Sequence, residues 1–374
     1  MVLKISHSAV VFFLLFNMAI AAGPPPLTDE EADAAAANYK RYCALCHGED
    51  RQGHVNDHAP SLRSKSLMTS GEREVRYATE YGRFGTPMAG YLDEVGGPMS
   101  KEEIRSLVLW LRGQVAVEPY TFTYEAIPGD TEVGREVYAE HCASCHGESG
   151  EGGTGTALGN PAMLSLTTDA FLKYAIEHGR DGTDMPAFGE ALSAEEINGV
   201  TAFLRSRATG WTVKRPILRS PPTADNYVLN PDSPHADLEL KDGLYVMSAD
   251  LLKVLQEEKR IVLLDTRAMS QWLMVNIEGS VPLPYYMHLG GLKDFVEDLP
   301  NDGTMIVTYC ECPRAAAEYV SQKIRELGFT RTAVLWEGIR GWVSFGYPVF
   351  RGETTGAAST VGSEAAQRDD RDAR

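Results

Sequence analysis

Two short runs carry the chemistry that can be read most directly from this chain: Cys43-Ala44-Leu45-Cys46-His47 and Cys142-Ala143-Ser144-Cys145-His146. A C-x-x-C-H run is how a c-type haem is attached. Two thiols on one helical turn add across the vinyl groups of one porphyrin, and the histidine that follows offers a ring nitrogen to the iron. C-x-x-C pairs also serve zinc sites and redox dithiols. Here the run occurs twice in a repeated context, which predicts two covalently attached c-type haems. Of the six cysteines, only Cys310 and Cys312 lie outside these runs, so the chain is not a disulfide framework.

The elements around the runs repeat as well. Residues 28–117 and 128–208 align as two copies of one small helical module. Each motif is followed by Gly-Glu (Gly48-Glu49, Gly147-Glu148) and a polar or Gly-rich loop. Then come Ala59-Pro60-Ser61-Leu62 in one copy and Asn160-Pro161-Ala162-Met163 in the other. Tyr81-Gly82-Arg83-Phe84-Gly85-Thr86-Pro87-Met88 matches His178-Gly179-Arg180-Asp181-Gly182-Thr183-Asp184-Met185. Each copy closes with a helix opened by a capping box, Ser100 with Glu103 and Ser193 with Glu196. Apolar residues follow at helical spacing: Ile104, Leu107, Val108 and Leu111, then Ile197, Val200 and Leu204. Trp110 and Phe203 occupy equivalent places and are expected to pack near the helix that leads into each motif.

On these residues the segment from about 30 to 208 resembles the class I cytochromes c. The resemblance implies that His47 and His146 are the proximal iron ligands and that Met88 and Met185 are the distal ones. It implies that Pro60 and Pro161 offer the carbonyls that orient the two histidines. Arg83 and Arg180 would either meet haem propionates or remain solvated. The bland alternative for any methionine is core packing, and Met99 and Met163 are rivals for the ligand role. His54, His58 and His178 are expected on the surface. Ligation by Met and His raises a haem potential and fills both axial positions, so these modules should carry electrons.

After a Pro-rich linker (residues 209–239), which either tethers domains or straps a surface, strands and helices alternate, the sign of a parallel α/β sheet. Ile261-Val262-Leu263-Leu264 ends at Asp265, and Met305-Ile306-Val307-Thr308-Tyr309 ends at Cys310. Such continuous apolar runs suit buried strands. Ser248 to Glu258 and Arg314 to Leu327 read as helices, the second stopped by Gly328, and Ala333 to Trp336 reads as a strand. A cysteine at the carboxyl end of a buried strand, before a helix N-terminus, sits where loop N–H groups and the helix dipole favour a thiolate and a bound anion. Asp265-Thr266-Arg267, Ile277-Glu278-Gly279-Ser280-Val281-Pro282, Cys310-Glu311-Cys312-Pro313-Arg314 and Gly338-Ile339-Arg340-Gly341-Trp342 together resemble the rhodanese family. The resemblance implies that Cys310 accepts sulfur as a persulfide, that Arg314 helps hold an anionic donor such as thiosulfate, and that Asp265 and Arg267 support the loop. The loop lacks the family's glycine, is one residue short before Arg314, and places the Glu311 carboxylate beside the nucleophile. Cys312 is then a resolving thiol or an alternative nucleophile. A sulfurtransferase, a thiol redox sensor and an inert docking domain are all compatible with this segment.

At 374 residues with net charge −17, the chain has room for two or three domains. Its acidity argues against nucleic acid and suits basic redox partners, such as other cytochromes or an oxidase or reductase. Residues 1–22 have the marks of a secretory signal: Lys4, an apolar core from Ala9 to Phe16, and Ala19-Ile20-Ala21 as a cleavage site. The expected location is the periplasm, with no membrane span left after cleavage; an uncleaved anchor is the alternative. The architecture expected is two small all-α cytochrome c domains, then an α/β rhodanese-like domain with a mainly parallel sheet (residues 240–351) and a disordered tail (352–374). The function expected is electron transfer coupled to small sulfur compounds at Cys310, or electron transfer with an inactive third domain.

Overall fold

The computed structural model describes residues 26–53, 59–69, 73–83, 86–115, 122–159, 163–164, 167–180, 183–207, 214–311 and 314–355. The first module comprises α1 (Asp29–Tyr42), α2 (Ala44–His47), α3 (Lys65–Thr69), α4 (Arg73–Tyr81) and α5 (Lys101–Gly113). The second comprises α6 (Thr131–His141), α7 (Ala143–His146), α8 (Asp169–His178) and α9 (Ala194–Ser206). The closing helices begin as the sequence demands. Ser100 Oγ accepts the Glu103 N–H at 3.2 Å while Glu103 accepts the Ser100 N–H at 2.8 Å, and Ser193 and Glu196 repeat this at 3.2 and 2.7 Å.

In both modules the closing helix packs on the helix that leads into the cysteine motif. Trp110 lies 5.5 Å from the Tyr39 ring, and Phe203 lies 5.5 Å from the Tyr138 ring, so both aromatics stand where their place in the repeat puts them. The α6–α9 crossing is very close. A Cβ added to Gly134 would stand 2.0 Å from the Gly199 carbonyl oxygen.

The third domain is built on a five-stranded parallel sheet in the order β2-β7-β6-β3-β5. Flanking it in the chain, the described strands run β1 (Lys214–Pro216), β2 (Tyr245–Val246), β3 (Ile261–Asp265), β4 (Val275–Ile277), β5 (Val281–Pro282), β6 (Met305–Tyr309), β7 (Thr332–Leu335), β8 (Val349–Arg351) and β9 (Glu353–Thr355). The helices are α10 (Ser248–Gln256), α11 (Met269–Met274), α12 (Leu289–Glu297), α13 (Ala315–Glu326) and α14 (Gly338–Ser344). Strands β3 and β6 pair in register from Ile261–Met305 to Asp265–Tyr309, which brings the ends of both apolar runs side by side. One sheet face packs on Leu251, Val254, Ile339 and Trp342 of α10 and α14; the other packs on Leu292, Val296, Val320 and Ile324 of α12 and α13. Covering both faces is what allows strands with no polar alternation.

The linker is a strap. Its β1 pairs antiparallel with β9, Leu229 exchanges hydrogen bonds with Ile261, and Arg219 lies 3.6 Å over the Trp272 ring. The expectation of a disordered tail from residue 352 is corrected here. Glu353–Thr355 is a strand because the strap supplies it with a partner; residues 356–374 lie outside the described residues.

The first module docks directly on the third domain. Ser270 Oγ donates to the Gly90 carbonyl at 2.7 Å, Arg41 Nε donates to the Tyr286 carbonyl at 2.9 Å, and the Tyr42 and Tyr286 rings meet edge-on at 5.2 Å. Ala268 is part of the first module's own apolar core.

Substituting Gly134→Ala should cost about 1–3 kcal/mol, because a backbone carbonyl must move to admit the methyl group. Gly113→Ala, where nothing lies within 4 Å of the new Cβ, should be neutral or slightly stabilising. Thermal melts of the two variants against the parent check both.

Candidate functional site

The two C-x-x-C-H runs adopt the same local geometry. Cys43 and Cys142 have φ/ψ of −115/−35 and −117/−35, each ending one helix and opening the next. The His47 and His146 N–H groups donate to the Cys43 and Cys142 carbonyls at 3.0 and 2.9 Å. Tyr39 and Tyr138 hydroxyls pin the following turn through the Gly48 and Gly147 carbonyls at 2.6 and 2.8 Å. His47 Nδ1 lies 2.8 Å from the Pro60 carbonyl. A carbonyl only accepts, so Nδ1 carries the proton and Nε2 keeps its lone pair, the state an iron ligand needs. His146 does the same, but toward the Thr156 carbonyl at 2.7 Å. This corrects the expectation for Pro161, which lies outside the described residues: the Gly-rich loop 147–159 brings the Thr156 carbonyl to the ring. Burial lowers the His146 pKa and the Arg180 charge adds to this, against the Thr156 carbonyl, so the imidazole stays neutral.

The cysteines of these runs are not poised as redox dithiols. Burial pushes the Cys43 thiol up to about 12 and the Cys142 thiol up to about 11, each helped by its partner cysteine. Reactive C-x-x-C pairs are shifted the other way.

The methionine loops are also duplicates. Arg83 N–H donates to the Met88 carbonyl at 2.8 Å and Arg180 N–H to that of Met185 at 3.1 Å. Thr86 and Thr183 hydroxyls donate to the Arg83 and Arg180 carbonyls at 2.8 Å and accept the Met88 and Met185 N–H groups at 3.2 Å. Gly82 and Gly179, at φ +72 and +66, open each loop; a Cβ there would stand 2.6 and 2.7 Å from the Met88 and Met185 carbonyl oxygens. Both methionines are half-buried, whereas Met99 is 1% exposed within the first core, and Met163 is buried with its sulfur 3.4 Å from the Thr167 hydroxyl. The two rivals are thus core residues. His178 is exposed, its ring tilted against that of Tyr174 at 4.4 Å; His54 and His58 lie outside the described residues.

Arg83 and Arg180 have no acidic partner among the described residues. Burial lowers both pKa values, that of Arg180 to about 10, and the Arg83 charge contributes to the shift at Arg180. Half-buried cations that have lost water favour an anion beside them, and the carboxylates of a haem would supply one. The donor set therefore fits haem in both modules.

Cys310 ends β6 and is 5% exposed; its Sγ donates to the Glu311 carbonyl at 2.9 Å and its carbonyl accepts the Ile339 N–H at 2.9 Å. Asp265 and Arg267 form a buried pair, Arg267 Nη2 reaching Asp265 Oδ2 at 2.6 Å, with Glu311 3.7 Å from the same guanidinium. Burial disfavours the Arg267 charge, but Asp265, with Tyr309 and Glu311, more than offsets this and keeps the group protonated. Burial also raises the Glu311 carboxyl pKa, against the pull of Arg267 and Arg340. Arg314, expected to help hold an anionic donor, is engaged with its own domain. At φ +68 it opens α13, and its guanidinium stacks 3.9 Å from the Trp336 ring and binds the Trp336 carbonyl and Glu318. Cys312 lies outside the described residues.

A cavity of about 370 Å³ separates the two domains, with Arg83 and Met88 on the cytochrome-like wall and Arg267, Gln271, Glu311 and Arg340 on the other. Sequence reasoning missed this cavity and missed Arg340 and Gln271. The aromatic doublet Tyr285-Tyr286 after Pro284 was the available signal for a contact surface.

Glu311 yields a pH test with a definite sign. A carboxyl whose pKa rises on folding favours the neutral form, so its ionisation costs stability once the pH exceeds its ordinary value of 4.5. Glu311→Gln should therefore raise the melting temperature at pH 8 and leave it unchanged at pH 4, as paired calorimetric scans would show.

Residues 30–111 and 129–204 match the family of cytochrome c oxidase, cbb3-type, subunit III, and residues 248–345 match the rhodanese-like domain. The cbb3-type oxidase subunit CcoP of Rhodobacter capsulatus is 28% identical over 212 residues, covering 50% of this chain and 66% of that protein. Subunit FixP of Azorhizobium caulinodans is 28% identical over 183 residues, covering 45% of this chain and 57% of its own length. The chain thus spans at most about two thirds of these relatives. Among solved structures, a reducing HAO-like protein complex from Kuenenia stuttgartiensis aligns at 19% identity and TM-score 0.32, over 50% of this chain and 99% of that one. No helix among the described residues is long and apolar enough to cross a membrane. The chain therefore carries cytochrome c domains of the cbb3-type subunit III kind at residues 30–111 and 129–204 and a rhodanese-like domain at residues 248–345.

Proposed function

We propose that this chain is an exported dihaem cytochrome whose rhodanese-like domain handles sulfane sulfur at Cys310, so that a thiol site and an electron carrier work side by side. The observation that supports it is the shared cavity, where the loop carrying Met88 faces the loop that follows Cys310. Two groups on one chain meet at a far higher effective concentration than two separate proteins.

Cys43 and Cys46 would hold one haem by thioethers and Cys142 and Cys145 the other. His47 and His146 would offer Nε2, and Met88 and Met185 a thioether sulfur, to the iron. When bound, each haem supplies a one-electron couple whose potential is raised by Met/His ligation. Arg83 and Arg180 would offset propionate charge. At the third domain the Cys310 thiolate would attack the outer sulfur of thiosulfate. A new S–S bond forms at Cys310, the thiosulfate S–S bond breaks, and sulfite leaves with its electron pair, so no net electrons are released. Arg340 and Arg267 would attract the anion, Arg314 would brace the loop through Trp336, and Cys312 would serve as second thiol. Export through residues 1–22 to the periplasm agrees with c-type haem, which bacteria attach outside the cytoplasm, and the acidic surface suits a basic redox partner.

One observation favours a second function, an electron carrier with an inert docking domain: the Cys310 thiol is buried and hydrogen-bonded beside a carboxylate. The decisive experiment adds thiosulfate, then polysulfide, anaerobically to the oxidised protein and follows haem absorption and the intact mass of the Cys310 peptide. Sulfur on Cys310, lost in Cys310→Ser, is the expected result; no sulfur from either donor leaves the docking function. Separately, Arg83→Gln should lower one haem potential by about 60 mV, the one-electron equivalent of a tenfold change in equilibrium, because a nearby cation favours the reduced iron. Potentiometric titration of both haems reads this directly.

A further inference from the structure

A continuous bonded path joins the two sites. Tyr285 donates its hydroxyl to the Tyr42 carbonyl at 2.6 Å, and that carbonyl belongs to the peptide bond with Cys43. At its other end the Tyr285 N–H donates to the Thr266 carbonyl at 3.0 Å, and the Thr266 N–H donates to the Tyr309 carbonyl at 2.9 Å. The Tyr309 carbonyl belongs to the peptide bond with Cys310. Tyr91 completes the cluster, with its hydroxyl 2.8 Å from that of Tyr285 and 3.2 Å from the Tyr42 carbonyl. Electrons tunnel more readily through covalent bonds and short hydrogen bonds than across van der Waals gaps, and three hydrogen bonds span this route.

We propose that Tyr285 conducts electrons from Cys310 to the haem held by Cys43 and Cys46, with hydrosulfide as the donor that enters through the interdomain cavity. This step rests on the function proposed above. Sulfur transfer from thiosulfate is electron-neutral and has no use for a haem. Joining hydrosulfide to the Cys310 thiol is different: one S–S bond forms, one S–H bond breaks on each sulfur, two protons go to solvent, and two electrons reduce two ferric haems. The product is the Cys310 persulfide. Two one-electron acceptors on the same chain match this stoichiometry. Charge argues for a small anion, since Arg83, Arg267 and Arg340 face the cavity against the carboxylate of Glu311.

The test mixes sulfide anaerobically with the ferric protein and follows haem reduction by stopped flow, with intact mass at Cys310 as a second readout. The Cys310→Ser background, from sulfide acting directly at haem, is subtracted. Two haems should be reduced for each sulfur gained. Tyr285→Phe should slow the reduction about tenfold with unchanged haem potentials and an unchanged capacity to take sulfur from thiosulfate. Tyr91→Phe removes a phenol from the same cluster but leaves the Tyr285–Tyr42 bond, and should keep the parental rate. A Tyr285→Phe rate equal to the parent's, or a slowed rate with shifted potentials, overturns the route. If thiosulfate labels Cys310 while sulfide leaves the haems oxidised, the route is overturned and sulfur transfer stands. If neither donor adds sulfur, the proposed function fails and the route fails with it.

Discussion

The carbonyl of Tyr42 sits one peptide bond from the first cysteine of a C-x-x-C-H motif and accepts a hydroxyl from a residue 243 positions away. Around it four tyrosines, Tyr42, Tyr91, Tyr285 and Tyr286, close the seam between the first module and the third domain. Burial raises the pKa of Tyr91 and Tyr285 well above the ordinary phenol range, so both keep their protons and both must find an acceptor. Leaving one buried donor unmade costs about 1–3 kcal/mol. The seam therefore holds in one register. That register is what sets Met88 opposite Glu311 and threads hydrogen bonds from Cys43 to Cys310.

The two cytochrome modules show how one set of devices tolerates different surroundings. Both keep the tyrosine–glycine pin behind the motif, the glycine–threonine turn before the methionine, and the capped closing helix. They differ where the chain has room to vary. The first module orients its histidine with a proline carbonyl, while the second uses Thr156 from a longer Gly-rich loop. Helix crossing differs too: Gly134 meets Gly199 in the second module, where the first has buried Ala35 and half-buried Ser106 at the aligned places. What is retained is the direction of a histidine proton and the backbone turn before the methionine; the residue that does the holding is free to change.

At the third domain, the balance of charge is set by depth. Asp265 and Arg267 are almost wholly buried and neutralise each other at 2.6 Å, where the low dielectric makes the pairing strong. Glu311 lies beside that pair rather than within it. Its carboxyl pKa is raised by burial against the pull of Arg267 and Arg340, and all three groups line the cavity.

The sequence by itself determined whatever is local or repeated. Motif spacing located both C-x-x-C-H runs, offset repetition singled out Met88 and Met185 as candidate ligands, and uninterrupted apolar runs ending at Asp265 and Cys310 foretold parallel strands buried on both faces. These are legible because helical turns, caps and strand burial depend on residues a few positions apart. Only the tertiary structure decided which carbonyl holds His146, where Arg314 points, that Glu353–Thr355 pairs with the linker, and that Tyr285 reaches Tyr42. Each of these depends on a contact between distant segments, made between backbone groups that every residue shares or between side chains whose types are common everywhere. No residue type announces such a contact in advance, since it is the packing of one domain on another that brings the two atoms within reach.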